Sequence, residues 1–364
     1  MSSRRWRLAG GALLALILLG VFFRGVDWDA LGGAFRAADH RYLAGVVAVT
    51  VLTYVLRAWR WGNLLSPLSR VPMRDLFPAT VVGFMTGLLV PRAGEVVRPY
   101  LISRRHPIRT SAGFASIVLE RLVDLITVLV LFGLYLYALP TPASQTRGPL
   151  LGFLKLGGAM AGAAALTVLV VLLLLHGHAA AMVRLVRRAL SPLPSRVVDA
   201  VGGAVGTFAE GLAVLKASPR HLLVIFGQSV LVWLSICLGI WWNNRAFRLP
   251  LPFHTSFLMV AFLTVGVAVP TPGAVGGFHE LYLLALTQAY GVDKGTAAAA
   301  GIACHALTNL PVLVLGLALL GREGLTMGKV ADMAEEPAAP EDSREGREDP
   351  PKAHMATLEP TRPR

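Results

Sequence analysis

Several ionisable side chains in this sequence stand inside or beside apolar runs, where a charge at a helix centre costs roughly 2.5–3.5 kcal/mol and needs a partner or water. Glu120, Arg121 and Asp124 lead into the apolar run that begins at Leu125. Their spacing puts the two carboxylates on one helical face, and Arg121 can pair within the trio. Two readings fit: a structural ion cluster at the cytoplasmic headgroup level, or a group that meets a substrate. Arg92, Glu95 and Arg98 follow Pro91 at three-residue steps, on one face of a half-helix that starts there. Backbone N–H groups at such a start, with arginine forks beside them, suit a phosphate such as a lipid phosphodiester. The plainer reading makes these arginines topology determinants on the inner surface. Farther on, His279 and Glu280 follow a glycine-rich turn, and His305 and Asn309 share a helical face. A lone histidine in an apolar helix is more often a packing residue than a ligand, and only Asn309 beside it raises the weight of His305.

Soluble-enzyme chemistry finds little footing. His-Glu-x-x-His and Gly-x-Ser-x-Gly are absent, and Gly202-Gly203-Ala204-Val205-Gly206-Thr207 lacks the lysine of a phosphate-binding loop. Asp27-Trp28-Asp29 imitates the paired aspartates of metal-dependent glycosyltransferases, but three residues match by chance and fall on the outer side of the expected topology. His176-Gly177-His178 lacks the further ligands a metal needs. No catalytic residue, metal or cofactor is expected. Cys237 and Cys304, the two cysteines, lie in apolar runs and read as packing residues.

The elements that must carry these groups belong to a membrane. Of the 364 residues 55% are hydrophobic and 15% charged, against about 25% charged in soluble domains, and the mean hydropathy is +0.61. The net charge of +13 could point to nucleic acid. The arginines, however, cluster beside apolar runs, where they set orientation and attract anionic headgroups, so no nucleic-acid partner is expected. Apolar runs long enough to cross are expected at Leu8–Phe23, Tyr42–Leu56, Val118–Leu139, Leu150–Leu175, Leu222–Trp242 and Thr296–Leu320. The first, preceded by Arg4, Arg5 and Arg7, reads as an uncleaved signal anchor with the N-terminus inside.

Two further apolar segments are interrupted. Phe84 to Pro91 runs into Arg92-Ala93-Gly94-Glu95, and Phe262 to Pro270 runs into Thr271-Pro272-Gly273-Ala274-Val275-Gly276-Gly277. Pro91, Gly94, Pro270, Pro272, Gly273, Gly276 and Gly277 are the expected break points. Interrupted segments at matching places in two halves point to a transporter's binding site. Arginines flank the first segment on both sides, which predicts a re-entrant hairpin from the cytoplasm; the second, poor in cations, would dip in from outside. The expected fold is thus an all-α polytopic membrane protein with about six spanning helices plus two broken hairpins, its halves, about 1–140 and 150–321, inverted relative to each other. Residues 177–220 read as a cytoplasmic interfacial segment. Residues 322–364, rich in Glu, Asp, Pro and Arg, read as a disordered cytoplasmic tail.

Three motifs in order carry a resemblance: Pro91-Arg92-Ala93-Gly94-Glu95-Val96-Val97-Arg98-Pro99-Tyr100, then Leu119-Glu120-Arg121-Leu122-Val123-Asp124, then Pro270-Thr271-Pro272-Gly273-Ala274-Val275-Gly276-Gly277-Phe278-His279-Glu280. Together they resemble the transmembrane region of the lysylphosphatidylglycerol synthases, the flippase-like proteins, over roughly Leu8 to Leu320. The resemblance implies a multi-pass inner-membrane protein that moves or handles lipids, with Arg92, Glu95, Arg98, Glu120, Arg121, Asp124 and Glu280 at the family's polar positions. Lysyl transfer is not expected, because members that perform it carry a large soluble domain after the membrane part. His305 stands where relatives often have arginine, which predicts pH-sensitive transport if it faces a cavity.

The leading expectation is a translocase that holds an amphiphile's headgroup, from an anionic phospholipid or a glycolipid, in a polar cavity between the halves. The alternatives are a lipid-modifying or glycosyltransferase-like enzyme using Glu95, Glu120 or Asp124 as acid and base, and a non-transporting partner of a lipid-synthesis enzyme.

Overall fold

In a computed structural model, residues 28–90, 93–137, 218–268 and 271–322 are described, with isolated positions and one short helix between 152 and 206. The expected Leu8–Phe23 span, the 140–149 loop, the tail from 323 onward and the break residues Pro91, Arg92 and Pro270 lie outside the described residues, as does most of 177–220.

The described regular structure is helical throughout. We number α1 Trp28–Ala37, α2 His40–Leu65, α3 Met73–Leu89, α4 Ala93–Ser103, α5 Thr110–Tyr137, α6 Ala179–Ala189, α7 Pro219–Ala246, α8 Thr255–Ala268, α9 Gly277–Leu284 and α10 Lys294–Arg322. Three of these, α2, α7 and α10, are long and apolar enough to cross a bilayer. At 1.5 Å per residue the 26 residues of α2 reach about 39 Å, beyond a hydrocarbon core of about 30 Å. Helix α5 is as long as α7, with 28 residues, but carries Glu120, Arg121 and Asp124 within its run.

Helix starts follow local chemistry. Asp39 caps α2 by accepting a hydrogen bond from the Arg41 N–H at 2.9 Å, and Ser218 caps α7 at the His221 N–H with Pro219 behind it. Helix α3 stops because Pro91 follows. Val90 is extended (φ −126°, ψ 110°), the conformation that the ring of a following proline imposes. The second break is a left-handed turn, with Gly273 at φ 67°, Ala274 at 54° and Gly276 at 89°.

Polarity is arranged inside out. On α2, Leu52, Val55 and Trp59 face outward, while Thr50, Thr53 and Arg60 are buried. The buried threonines bond to backbone carbonyls one turn earlier. A lipid environment accepts that outer surface and forbids unsatisfied groups on it. Helix α7 packs along α2 in the antiparallel sense, joined by Asn63–Gln228 at one end and Thr53–Ser235 midway. Two apolar cores result. The first draws on α2, α3, α4 and the start of α5; the second holds α7, α8, α9, α10 and the end of α5, with Cys237 and Cys304 as buried packing thiols.

Candidate functional site

The first core is crossed by an ionic cluster built from three helices. Arg60 of α2 forks onto Asp124 of α5, to Oδ1 and, at 3.2 Å, to Oδ2. Arg98 of α4 forms a bidentate pair with Glu120, each bond 3.0 Å. Arg60 bridges the two carboxylates, its Nη2 lying 3.5 Å from Glu120 Oε1. Arg121 approaches Glu120 at 3.3 Å and Asp124 at 3.8 Å. Helix α7 completes the shell: Trp233 Nε1 donates to Asp124 at 2.8 Å, and Ser229 accepts from Arg60 at 2.8 Å. Arg60, Arg98 and Glu120 are almost wholly enclosed, with side-chain exposures of 0%, 2% and 0%. Arg121, at 42% exposed, marks the open edge.

Each cation is placed by backbone and aromatic neighbours. Gly83 of α3 leaves room for the Arg98 stem, because a Cβ there would stand 2.1 Å from Arg98 Cγ. Gly94, which opens α4, lets the two helices touch; a Cβ on it would lie 2.1 Å from the Gly83 carbonyl oxygen. The Arg98 guanidinium lies 4.3 Å from the Trp61 ring centre. Phe84, just before the first break, sits among three guanidiniums: Arg57 at 4.9 Å, Arg98 at 5.3 Å and Arg121 at 5.6 Å. A ring face attracts cations, so Phe84 helps hold Arg57, which makes no hydrogen bond among the described residues, and Arg121, which donates one to Glu120 at 3.3 Å.

Arg57 is the exception to the pairing. Its side chain is 11% exposed and its nearest carboxylate contact is 3.9 Å, to Asp124. Among the described residues it makes no hydrogen bond: its buried Nη1, the atom that approaches Asp124, has no hydrogen-bond partner. A guanidinium carries five donors. Among the described residues four guanidiniums surround two carboxylates, two positive charges in excess.

The polar residues of the second half form a separate group at the second break. His305 Nε2 bonds the Gly273 carbonyl at 2.7 Å, its ring stands 4.5 Å from that of His279, and His279 Nδ1 accepts from the Gly276 N–H at 3.4 Å. Asn309 donates to the His305 backbone carbonyl at 2.8 Å and so braces its own helix. Glu280 keeps one buried carboxylate oxygen without a partner. The two breaks meet: Leu88, at the end of α3, lies beside Gly273.

Of the residues singled out from sequence, Arg98, Glu120, Arg121 and Asp124 come together. Glu95, half-buried in the first turn of α4, makes no hydrogen bond or ion pair among the described residues, and Arg92 lies outside them. Among the described residues no hydrogen bond or ion pair joins Glu280, His305 or Asn309 to the arginine cluster. Sequence reasoning missed Arg57 and Arg60, because the expected span ends at Leu56, just before them; the helix continues through Leu65 and places both on it. Ser229 and Trp233 gave no signal at all.

Membrane-length helices, two interrupted helix pairs that touch at glycines and an arginine–carboxylate cluster buried between helices define a polytopic membrane protein. The particular kind follows from comparison. The family model described as "Lysylphosphatidylglycerol synthase TM region" matches residues 8–316, and the chain belongs to that family. It is also 30% identical over 139 residues to a protein named glycosyltransferase AglD from Haloferax volcanii. That match takes in 38% of this chain and 22% of the relative's length.

Proposed function

We propose that the protein is a lipid translocase of the inner membrane that binds an anionic headgroup at Arg57 and Arg121 and carries it between leaflets. The observation that carries this reading is the buried Arg57, with no hydrogen bond from any of its donors among the described residues, in a cluster with excess positive charge. Leaving a buried charged donor unpaired costs several kcal/mol. An anion entering past the exposed Arg121 removes that cost, and its lipid tails stay in the bilayer. Glu120 and Asp124 are already engaged by guanidinium and indole donors, which leaves them poorly suited to acid–base work.

Alternating access is supported by internal correspondence. The shift along the chain that takes Gly83 to Gly266 also takes Gly94 to Gly277. Both pairs are close crossings; a Cβ on Gly266 would stand 2.6 Å from the Gly277 carbonyl oxygen. The same shift lays α2, α3, α4 and α5 over α7, α8, α9 and α10 to within a few residues. Equivalent helices α2 and α7 run antiparallel, as an inverted repeat requires. Asp75 pairs with Arg105 at 3.3 Å and His106 at 3.1 Å, which joins the start of α3 to the loop after α4, as in a re-entrant segment. At the far end of α2 a cavity of about 660 Å³ is lined by Arg36, His40, Arg245 and Arg248, with Asp39 as its carboxylate. It gives the same headgroup a cationic place to arrive. Together with the Leu8–Phe23 and Leu150–Leu175 runs read from sequence, this plan yields the six crossings expected, and a cytoplasmic N-terminus.

The test is reconstitution. Vesicles with the protein and a fluorescent anionic lipid should exchange it between leaflets, and Arg57→Gln with Arg121→Gln should return exchange to the protein-free rate. Unchanged exchange in the double variant would exclude this site. The named glycosyltransferase relative favours a second reading, in which the chain presents a lipid to a glycosyl-transferring enzyme or modifies it itself. Glycosylated lipid formed by the purified protein would decide for an enzyme, and co-purification of such an enzyme without exchange for a partner role.

A further inference from the structure

The cluster's charge count narrows the ligand, granted that it is an anion site. Arg57 and Arg60 come from α2, Arg98 from α4, and Glu120, Arg121 and Asp124 from α5. Tyr54 adds a ring edge to Phe84 at 5.3 Å, and α7 contributes only the neutral Ser229 and Trp233. Glu95 pairs with none of these arginines among the described residues. The surplus is two positive charges, and it falls on Arg57 and Arg121, because Arg60 and Arg98 are committed to carboxylates through bidentate forks. Both surplus guanidiniums lie near the one Phe84 ring and approach the same carboxylate oxygen, Asp124 Oδ2, at 3.9 and 3.8 Å.

From this we infer that the headgroup bound here is a phosphomonoester, a dianion with three terminal oxygens, rather than a phosphodiester or a zwitterion. A dianion matches the two fixed positive charges, and each of its terminal oxygens can accept charge-assisted hydrogen bonds from the guanidinium forks. A monoester neutralises the surplus; a diester leaves one buried positive charge, and a zwitterion leaves both. The titrating group in such a complex is the phosphate. Binding should therefore follow the ligand's second ionisation, near pH 6 for a phosphomonoester.

The experiment is a lipid titration of the purified full-length protein, read by native mass spectrometry, with phosphatidic acid and phosphatidylglycerol of the same chains as probes. At pH 8 phosphatidic acid should bind about tenfold or more tightly, the worth of one charge-assisted hydrogen bond. The preference should fade toward parity at pH 5, while phosphatidylglycerol stays flat. Arg57→Gln should abolish the preference, and Arg57→Lys, which keeps the charge but loses the fork, should retain part of it. If both lipids bind equally and without pH dependence, yet both need Arg57 and Arg121, the dianion inference is wrong and the anion site stands. If neither lipid binds, or binding ignores both arginines, the anion site falls too. The wild-type pH dependence needs no variant, so a poorly folding Arg57→Gln does not rescue the proposal.

Discussion

At the scale of single residues, a buried charge is tolerable only in company. Glu120 accepts from Arg98 through both oxygens and faces Arg60 and Arg121, so Glu120→Gln leaves the enclosed Arg98 without a carboxylate and Arg60 with Asp124 alone. Breaking a buried pair in this way costs roughly 3–5 kcal/mol, and thermal unfolding in detergent should show a large loss of stability. Arg121→Gln should behave differently: its side chain is 42% exposed, and exposed pairs contribute about 0–1 kcal/mol. That variant should keep its unfolding temperature and lose anionic-lipid binding, which separates the ligand-facing cation from the structural ones. Glu120, Arg121 and Asp124 were legible in sequence because charges interrupt an apolar run. The pairing was not: Arg98 stood out only together with Arg92 and Glu95, and Arg60 falls just past the expected end of its span at Leu56, with nothing along the chain joining either to Glu120 or Asp124.

Among elements, the two broken pairs depend on glycine where backbones touch. Gly83→Ala must displace either Arg98 or the helix that carries it, and overpacking of this kind costs about 1–3 kcal/mol. Gly266→Ala meets the Gly277 carbonyl instead and should lose similar stability without disturbing the arginine cluster. Gly133 of α5 has nothing within 4 Å of where a methyl would stand; Gly133→Ala should be neutral or stabilising by up to about 1 kcal/mol through helix propensity. Melting curves should place Gly133→Ala above both of the other variants. The breaks themselves were visible in sequence because proline there is followed by a polar, glycine-containing segment that ends the apolar run; proline alone does not end a helix here, since Pro78, Pro99 and Pro311 lie inside α3, α4 and α10. Which glycines face each other was not, because glycine marks both flexible turns and close crossings.

For the whole molecule, the antiparallel α2–α7 pair is the frame. Thr53 and Ser235 hydroxyls lie 2.8 Å apart, so a Thr53→Cys, Ser235→Cys variant should form a disulfide under mild oxidation, seen as a mobility shift on non-reducing gels. Failure to cross-link would contradict the packing of the two halves. Cysteines at Ser66 and at Arg248, near opposite ends of that pair, should label from opposite sides of sealed vesicles. The sequence alone determined the class: apolar content, runs of membrane length and proline-ended segments allow only a helical membrane protein, because backbone groups in hydrocarbon must bond within helices. Local pattern also set where the helices break. Tertiary structure alone decided which charges meet, leaving Arg57 without a carboxylate of its own and Glu280 outside the cluster. Ion pairing depends on distance in space, and hydrophobic periodicity along a helix fixes the direction of a side chain without fixing the neighbour it will face.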